Sequence, residues 1–318
     1  MKQFRKTLSC LLFVTLALLA SACNPDDTPK ATKSTMEVSF SRGGGDSGST
    51  STEAVTGMLV FWELNTNNKY RFTVPDLNST EEYDTHELYP ADGTNASATG
   101  FSPAHLSMST DDKTLSLPSG TAPGTIDVCA SNTIQGSMFH PFTDKMTFAH
   151  TLTKVTFYAH RDKTMVGSRN VRNIQVTVPY TYLATQWTYS DSDKKYVTSD
   201  DSSTTGTVLT LTHPGIIVNT ETVEVGTCYL RLPAASNGVL TNIILAASTS
   251  LINSTETKEI SSTLNVQLKQ DDGATTATNV KPGEAYTVIF HIKQDSFTLQ
   301  AQQVAWEKGG LIYIPVNP

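Results

Sequence analysis

Met146-Thr147-Phe148-Ala149-His150-Thr151-Leu152-Thr153-Lys154-Val155-Thr156-Phe157-Tyr158-Ala159-His160 is the most strand-like run of the chain. Its apolar Phe148, Leu152, Val155, Phe157 and Tyr158 are mixed with threonines, which suit a pleated, half-buried surface. The pattern predicts one long strand over 146–160, and the sequence on both sides reads the same way. Upstream, Met58 to Trp62 form an apolar run within 57–64 that predicts a buried central strand. Tyr70, Phe72 and Val74 alternate with Arg71 and Thr73, and 114–117 and 125–130 read as two further strands with Pro-Gly turns between them. The polar stretch 78–99 reads as turns and loops.

Downstream, Ile174, Val176 and Val178 alternate with Asn173, Gln175 and Thr177. Asp191-Ser192-Asp193-Lys194 reads as the tip of a hairpin joining 187–189 to 196–197. Strands are expected at 208–211, 223–232, 240–247, 260–268, 285–293, 298–306 and 311–316. No window sustains helical periodicity over the ~10–12 residues a helix needs. Many short strands separated by turn signals predict an all-β chain of sandwich or barrel type. The polar break at 143–145 is the expected boundary between a first domain, 35–145, and a second, 146–318.

The beginning of the chain has a different logic. Lys2, Arg5 and Lys6 precede an apolar run from Leu8 to Leu19, and Leu18-Leu19-Ala20-Ser21-Ala22-Cys23 follows. Charged, apolar and small residues in that order make a secretory signal, and the apolar run is shorter than the ~20 residues of a spanning helix. Small residues ending in a cysteine resemble the bacterial lipobox, although Ala20 stands where that motif usually has Leu. The resemblance implies removal of 1–22 and acylation of Cys23; the alternative is an ordinary signal peptide with an accidental cysteine. Residues 23–34 then read as a tether. Asn24-Pro25-Asp26-Asp27 resembles an acidic signal for export to the outer cell surface, and reads equally as a solvated spacer.

Met36, Val38 and Phe40 alternate with Glu37, Ser39 and Ser41, which predicts a short half-buried strand ending at Arg42. Residues 43–52 form a Gly/Ser/Thr segment of flexible composition. A strand tethered in this way can be exchanged or removed without tearing a core. Within the segment, Gly45-Asp46-Ser47-Gly48 copies a serine-protease motif, but the first histidine of the chain, His86, comes after it, contrary to the His, Asp, Ser order of those enzymes.

The 318 residues carry a net charge of −7. Loss of Lys2, Arg5 and Lys6 with the leader leaves 296 residues with 20 basic and 30 acidic groups, a balance of −10. Nucleic-acid affinity rests on neutralising phosphates, so this balance argues against such a partner. Beyond the leader and Cys23, only Cys129 and Cys228 remain; they could pair in an oxidising compartment or serve as small buried hydrophobes. His140, His150 and His160 fall ten apart, which matches no common zinc spacing. His150 lies in a strand and reads as a satisfied core or sheet-face residue. Asp191, Asp193, Asp200 and Asp201 lack the Gly and Glu of a calcium loop; Tyr196 and Ser202 stand there instead. No catalytic residue, metal ligand or cofactor is expected.

Four stretches resemble the fimbrillin family of Bacteroidales, subunits of lipoprotein-derived pili. They are Ile126-Asp127-Val128-Cys129-Ala130-Ser131-Asn132, the run Met146 to Phe157, Val280-Lys281-Pro282-Gly283-Glu284-Ala285-Tyr286, and Val304-Ala305-Trp306-Glu307-Lys308-Gly309-Gly310. The resemblance implies two tandem transthyretin-like β-sandwich domains, a surface-exposed outer-membrane lipoprotein, and a pilus subunit without enzymatic activity. It implies maturation by cleavage at Arg42–Gly43, loss of the strand bearing Met36, Val38 and Phe40, and its replacement by a strand from a neighbouring subunit. The candidate donor is 311–316, with Ile312 and Ile314 on one face. Because little sequence follows Gly309-Gly310, the expected role is a tip or accessory subunit rather than a stalk. Its partners would be other pilus subunits, the outer membrane through the lipid anchor, and a host or bacterial surface receptor. The competing reading is a surface glycan-binding lipoprotein, which rows of exposed aromatic side chains would favour.

Overall fold

Extended backbone dominates because the chain is rich in alternating apolar and β-branched residues and poor in sustained helical spacing. The computed structural model describes residues 35–42, 55–63, 69–77, 82–163, 165, 170–199, 208–217, 222–231, 242–253, 255–269, 280–304 and 306. Among these the only helical element is one 3-10 turn, Tyr180–Tyr182. The strands in order are β1 (Thr35–Val38), β2 (Phe40–Arg42), β3 (Gly57–Glu63), β4 (Lys69–Val74), β5 (Tyr83–Leu88), β6 (Ala96–Ser102), β7 (Ser107–Met108), β8 (Thr114–Ser116), β9 (Cys129–Ser131), β10 (Ile134–Gly136) and β11 (Met146–His150). They continue as β12 (Thr153–Arg161), β13 (Asn170–Val178), β14 (Gln186–Ser190), β15 (Lys195–Thr198), β16 (Leu209–Ile217), β17 (Thr222–Leu230), β18 (Asn242–Ile252), β19 (Thr257–Gln267), β20 (Ala285–Ile292) and β21 (Phe297–Val304). The fold is all-β, and no helix among the described residues is long and apolar enough to cross a membrane.

A seven-stranded sheet, β2-β11-β9-β6-β3-β4 with β10 paired to β6, is the middle layer of the first half. One of its faces meets the two-stranded sheet β1-β5 through Leu59, Phe61, Ala98, Met146 and Phe148. The other meets the four-stranded sheet β15-β14-β8-β7 through Val60, Phe101, Ala130, Trp187 and Tyr196. Successive residues of a strand point to opposite faces. Leu59 and Phe61 therefore enter one core and Val60 the other, and all three are fully buried. That explains the uninterrupted apolar run Met58 to Trp62. In the second half, β17-β12-β20-β21 and β16-β13-β18-β19 enclose a single core of Val155, Phe157, Ile174, Val176, Leu245 and Phe290. Two antiparallel-rich sheets sharing one core make a β-sandwich.

Three expectations need correction. The stretch 78–99, expected as loop, contains β5 and the start of β6. β6 is buried along its whole length, but its Ala, Ser, Thr and Gly residues carry little apolar signal. Small residues are required there: a Cβ on Gly100 would lie 2.8 Å from the Phe148 ring and 3.1 Å from Leu59. The strand expected at 125–130 is shorter, beginning at Cys129. The long strand expected at 146–160 is two strands, because the chain leaves one sheet for another. At the crossing, the Thr151 hydroxyl donates to Val128 O (2.7 Å) and accepts from Trp187 Nε1 (2.8 Å), while Gly283 N donates to Leu152 O (2.9 Å).

Strands that follow Lys145 also contribute to the sheets of the first half. β11 is hydrogen-bonded into the first sheet, and the β14–β15 hairpin pairs with β8 through Gln186↔Ser116 and Trp187↔Leu115. The hairpin tip at Asp191–Lys194 is where the sequence predicts it. Its residues are solvent-exposed, with Asp191 facing Lys113 at 3.3 Å and Asp193 accepting from Ser190 Oγ at 2.6 Å.

His160 and His291 are paired across the parallel β12–β20 ladder, their rings 5.3 Å apart. Burial holds both imidazoles below the ordinary histidine value, and for His160 the facing His291 adds to the effect. Nearby Asp162 opposes it in both. A histidine depressed in the folded state binds fewer protons there than in the unfolded chain, so its contribution is full above about pH 6.5 and falls as pH drops toward the folded pKa. Thermal melting from about pH 7 to about pH 5.5 should show stability falling with acid, and the double variant His160→Gln/His291→Gln should flatten that slope. An unchanged slope would show that this pair does not titrate with folding.

Candidate functional site

The N-terminal strand passes from an outer layer of the first half into its middle sheet. β1 pairs antiparallel with β5 (Thr35↔Leu88, Glu37↔Asp84, Val38↔Tyr83), and after a break at Ser39, β2 pairs parallel with β11 (Phe40↔Met146, Arg42↔Phe148). Among the described residues, each half is hydrogen-bonded along one edge only. Met146 N donates to Ser39 O (2.9 Å) and the Thr85 hydroxyl to Met36 O (2.9 Å), which carries the strand through the change of sheet.

The alternation of the sequence is realised in space. Met36, Val38 and Phe40 are 0%, 1% and 8% exposed. They fill a groove lined by Leu59, Phe61, Ala98, Ile134, Met146 and Phe148, and the Phe40 and Phe148 rings meet edge-on at 6.1 Å. Burying each of three such side chains stabilises by about 1.5–3 kcal/mol, so together they contribute roughly 5–9 kcal/mol as an upper estimate. That is comparable with the whole stability of a domain, ~5–15 kcal/mol.

The backbone side is weaker. Exposed Glu37 stands directly opposite Asp84, and like charges in that position disfavour a strand pair. The backbone N–H of His86 binds the Asp84 carboxylate and holds its pKa below the ordinary value, with smaller contributions from the His86 ring and Thr35. Asp84 therefore stays charged at neutral pH, facing Glu37. The side chains of the N-terminal strand thus favour its seating, while one exposed pair of its ladder opposes the pairing.

Of the other residues singled out from the sequence, Arg42 is the last residue of β2. Cys23, Gly43, Ile312 and Ile314, with the donor strand expected at 311–316, lie outside the described residues. Cys129 and Cys228 are not joined by a disulfide. Cys228 is fully buried in the sandwich core, which pushes its thiol pKa up, whereas Cys129 is only half-buried.

One cluster is not apparent in the sequence. Cys129 stands directly across from His150 in the β9–β11 ladder, its Sγ 3.3 Å from His150 Nδ1, and Asp127 Oδ2 is 2.8 Å from the same nitrogen. A nucleophilic triad needs the thiol on one ring nitrogen and the carboxylate on the other, so that the base takes a proton at one side while being oriented at the other. Here both meet Nδ1, and the arrangement does not form a relay. The signal in the sequence is an Asp-x-Cys spacing that puts both side chains on one face of an extended segment; the histidine partner depends on sheet register.

No family model matches the sequence, and no curated protein does. Solved structures do resemble it. A candidate cell adhesion protein of Parabacteroides distasonis has a TM-score of 0.50 at 10% identity, covering 86% of this chain and 97% of that one. Candidate cell adhesion proteins of Bacteroides uniformis and Bacteroides ovatus have TM-scores of 0.48 and 0.48 at 12% and 10% identity; 88% and 87% of this chain is covered, and 100% and 99% of theirs. The first likeness is one of fold.

The groove makes a sharp prediction. Val38→Asp, which forces an unpaired charge into the core, should lower stability to denaturant by about 3–5 kcal/mol. Glu37→Lys, one residue away on the exposed face, should raise it by a few tenths of a kcal/mol by removing the clash with Asp84. Equal effects from the two changes would mean that the groove is not the seat of the strand.

Proposed function

We propose that the chain is an adhesive cell-surface protein of the pilus-subunit type, anchored in the outer membrane through an acylated Cys23 and assembled by strand exchange after cleavage at Arg42–Gly43. One observation carries the assembly reading: Met36, Val38 and Phe40 are core residues, yet among the described residues their strand is paired along one edge only. Such a strand leaves a groove that collapses poorly when emptied, because its lining belongs to strands fixed elsewhere in the sheet. A neighbour's strand with apolar side chains at alternate positions satisfies the same groove, with backbone bonds giving affinity and side chains giving specificity.

The position of the cut follows from the sequence. Arg42 ends β2 and Gly43-Gly44-Gly45 comes next, so a trypsin-like protease meets its preferred residue beside a run with no side chains to obstruct it. Ile312 and Ile314 are the side chains proposed to enter a neighbour's groove. The fold likeness to a candidate adhesion protein supports the adhesive part of the reading. The arrangement of Cys129, His150 and Asp127 on a single nitrogen supports a non-catalytic role. Among the described residues, the exposed large apolar side chains include only two aromatics, Phe139 and Tyr180, which stand far apart in the chain and do not favour a glycan platform.

Treatment of the purified chain with a trypsin-like protease should give a new N-terminus at Gly43 and oligomer ladders that survive mild detergent. Resistance of Arg42–Gly43 while other sites cut, or cleavage there that never yields oligomers, would end the assembly reading. The anchor is tested separately: Cys23→Ala should abolish labelling by palmitate in the expressing cell, and undiminished labelling would remove the lipid attachment.

A further inference from the structure

The register of β9 and β11 brings a thiol, an imidazole and a carboxylate to one point. Val128 and Ala130 turn into the core beneath Trp187. Asp127 and Cys129, at the alternate positions of the same extended segment, turn to the opposite face. His150 stands across the ladder from Cys129, and directly opposed side chains start about 4.5–5.5 Å apart at Cβ. We propose that Asp127, Cys129 and His150 form a binding site for a single thiophilic divalent metal ion of the zinc type.

The donor atoms lie within 4.8 Å of one another, with Sγ 3.3 Å and Oδ2 2.8 Å from Nδ1. A tetrahedral zinc shell with Zn–S of ~2.3 Å and Zn–N of ~2.0–2.1 Å separates sulphur and nitrogen by about 3.6 Å, and nitrogen and oxygen by about 3.4 Å. The sulphur–nitrogen and nitrogen–oxygen separations reach those values by opening by well under an ångström each. Thiolate, imidazole and carboxylate together suit zinc rather than magnesium or calcium, which take oxygen donors. Three protein ligands leave the fourth position for water.

An ion pair between Asp127 and His150 accounts for part of the geometry and leaves two features over. The thiol is turned toward the same nitrogen as the carboxylate, and Asp127 Oδ1 is buried with no hydrogen-bond partner among the described residues. A metal ion uses both. It takes the sulphur as thiolate, releasing its proton to solvent, and gives the carboxylate a charge to balance.

The surroundings fix the histidine. Trp306, which follows β21 of the sandwich, stacks on the His150 ring at 3.8 Å and 26°. Lys154 Nζ donates to the backbone Trp306 O at 3.4 Å and lies 5.9 Å from the indole centroid. The site therefore lies where the first sheet meets the end of the sandwich, and a metal ion there braces the two against each other.

The test uses the full chain, reduced and stripped with chelator, titrated with Co2+, whose thiolate charge-transfer band reports sulphur ligation, and then with Zn2+ as competitor. One Co2+ per chain with a thiolate band that Zn2+ abolishes is expected. Cys129→Ser should lose the band, and His150→Ala and Asp127→Asn should weaken Co2+ binding by at least roughly tenfold, the loss that even outer-shell changes cause. Metal-free melting of each variant shows whether it has folded. A second readout needs no substitution: Zn2+ should protect Cys129 of the unaltered chain from a thiol reagent, read at the Cys129 peptide by mass spectrometry. Co2+ binding without a thiolate band, a band kept by Cys129→Ser, or labelling of Cys129 that Zn2+ leaves unchanged overturns the proposal.

Discussion

The first half of this molecule depends on the burial of Met36, Val38 and Phe40 against Leu59, Phe61, Met146 and Phe148. A middle sheet buried on both faces needs a covering layer on each side. On one side that layer is the four-stranded sheet carrying Trp187 and Tyr196; on the other, among the described residues, it is the two strands β1 and β5. One of those two strands comes from the N-terminal segment. Side-chain burial of roughly 5–9 kcal/mol then rests on a strand that, among the described residues, is paired along a single edge, with Glu37 facing Asp84. Strong side-chain seating combined with weak backbone attachment is what a replaceable strand requires, since a competitor needs only to present the same alternation.

The two halves are joined by more than a linker. β11 ends in the first sheet and β12 begins in the sandwich two residues later, with Thr151 hydrogen-bonded both to Val128 and to the Trp187 indole. The β14–β15 hairpin, which follows β13 of the sandwich, returns to complete the layer formed by β7 and β8. Trp306 stacks on His150 from the far end of the sandwich. One strand links the two places, since β11 carries Met146 and Phe148 under the groove and His150 at the junction.

Much of this was legible in the sequence, for reasons tied to particular residues. Met36, Val38 and Phe40 announce a strand buried on one face because period-two alternation has a single structural meaning. The unbroken apolar run around Leu59, Val60 and Phe61 marks a strand covered on both faces. β6 was not legible: a central strand built of Ala96, Ser97, Ala98, Thr99 and Gly100 is chosen for close approach, and small residues signal nothing to a hydrophobicity pattern. The split at Thr151-Leu152 was hidden because a strand that changes sheets keeps its composition. Asp127, Cys129 and His150 could not be assembled from spacing, since they meet only through the β9–β11 register, which is a long-range fact.

The central claim is that the N-terminal strand is at once part of the core and separable from it. The most direct measurement refolds a chain beginning at Gly43 with and without a synthetic peptide of residues 35–42, and follows peptide uptake by native mass spectrometry and stability by thermal melting. The account predicts a destabilised chain that takes up one peptide per molecule and recovers its stability, and that refuses the same peptide carrying Asp in place of Val38. A chain starting at Gly43 that is as stable as the whole and binds no peptide would contradict it.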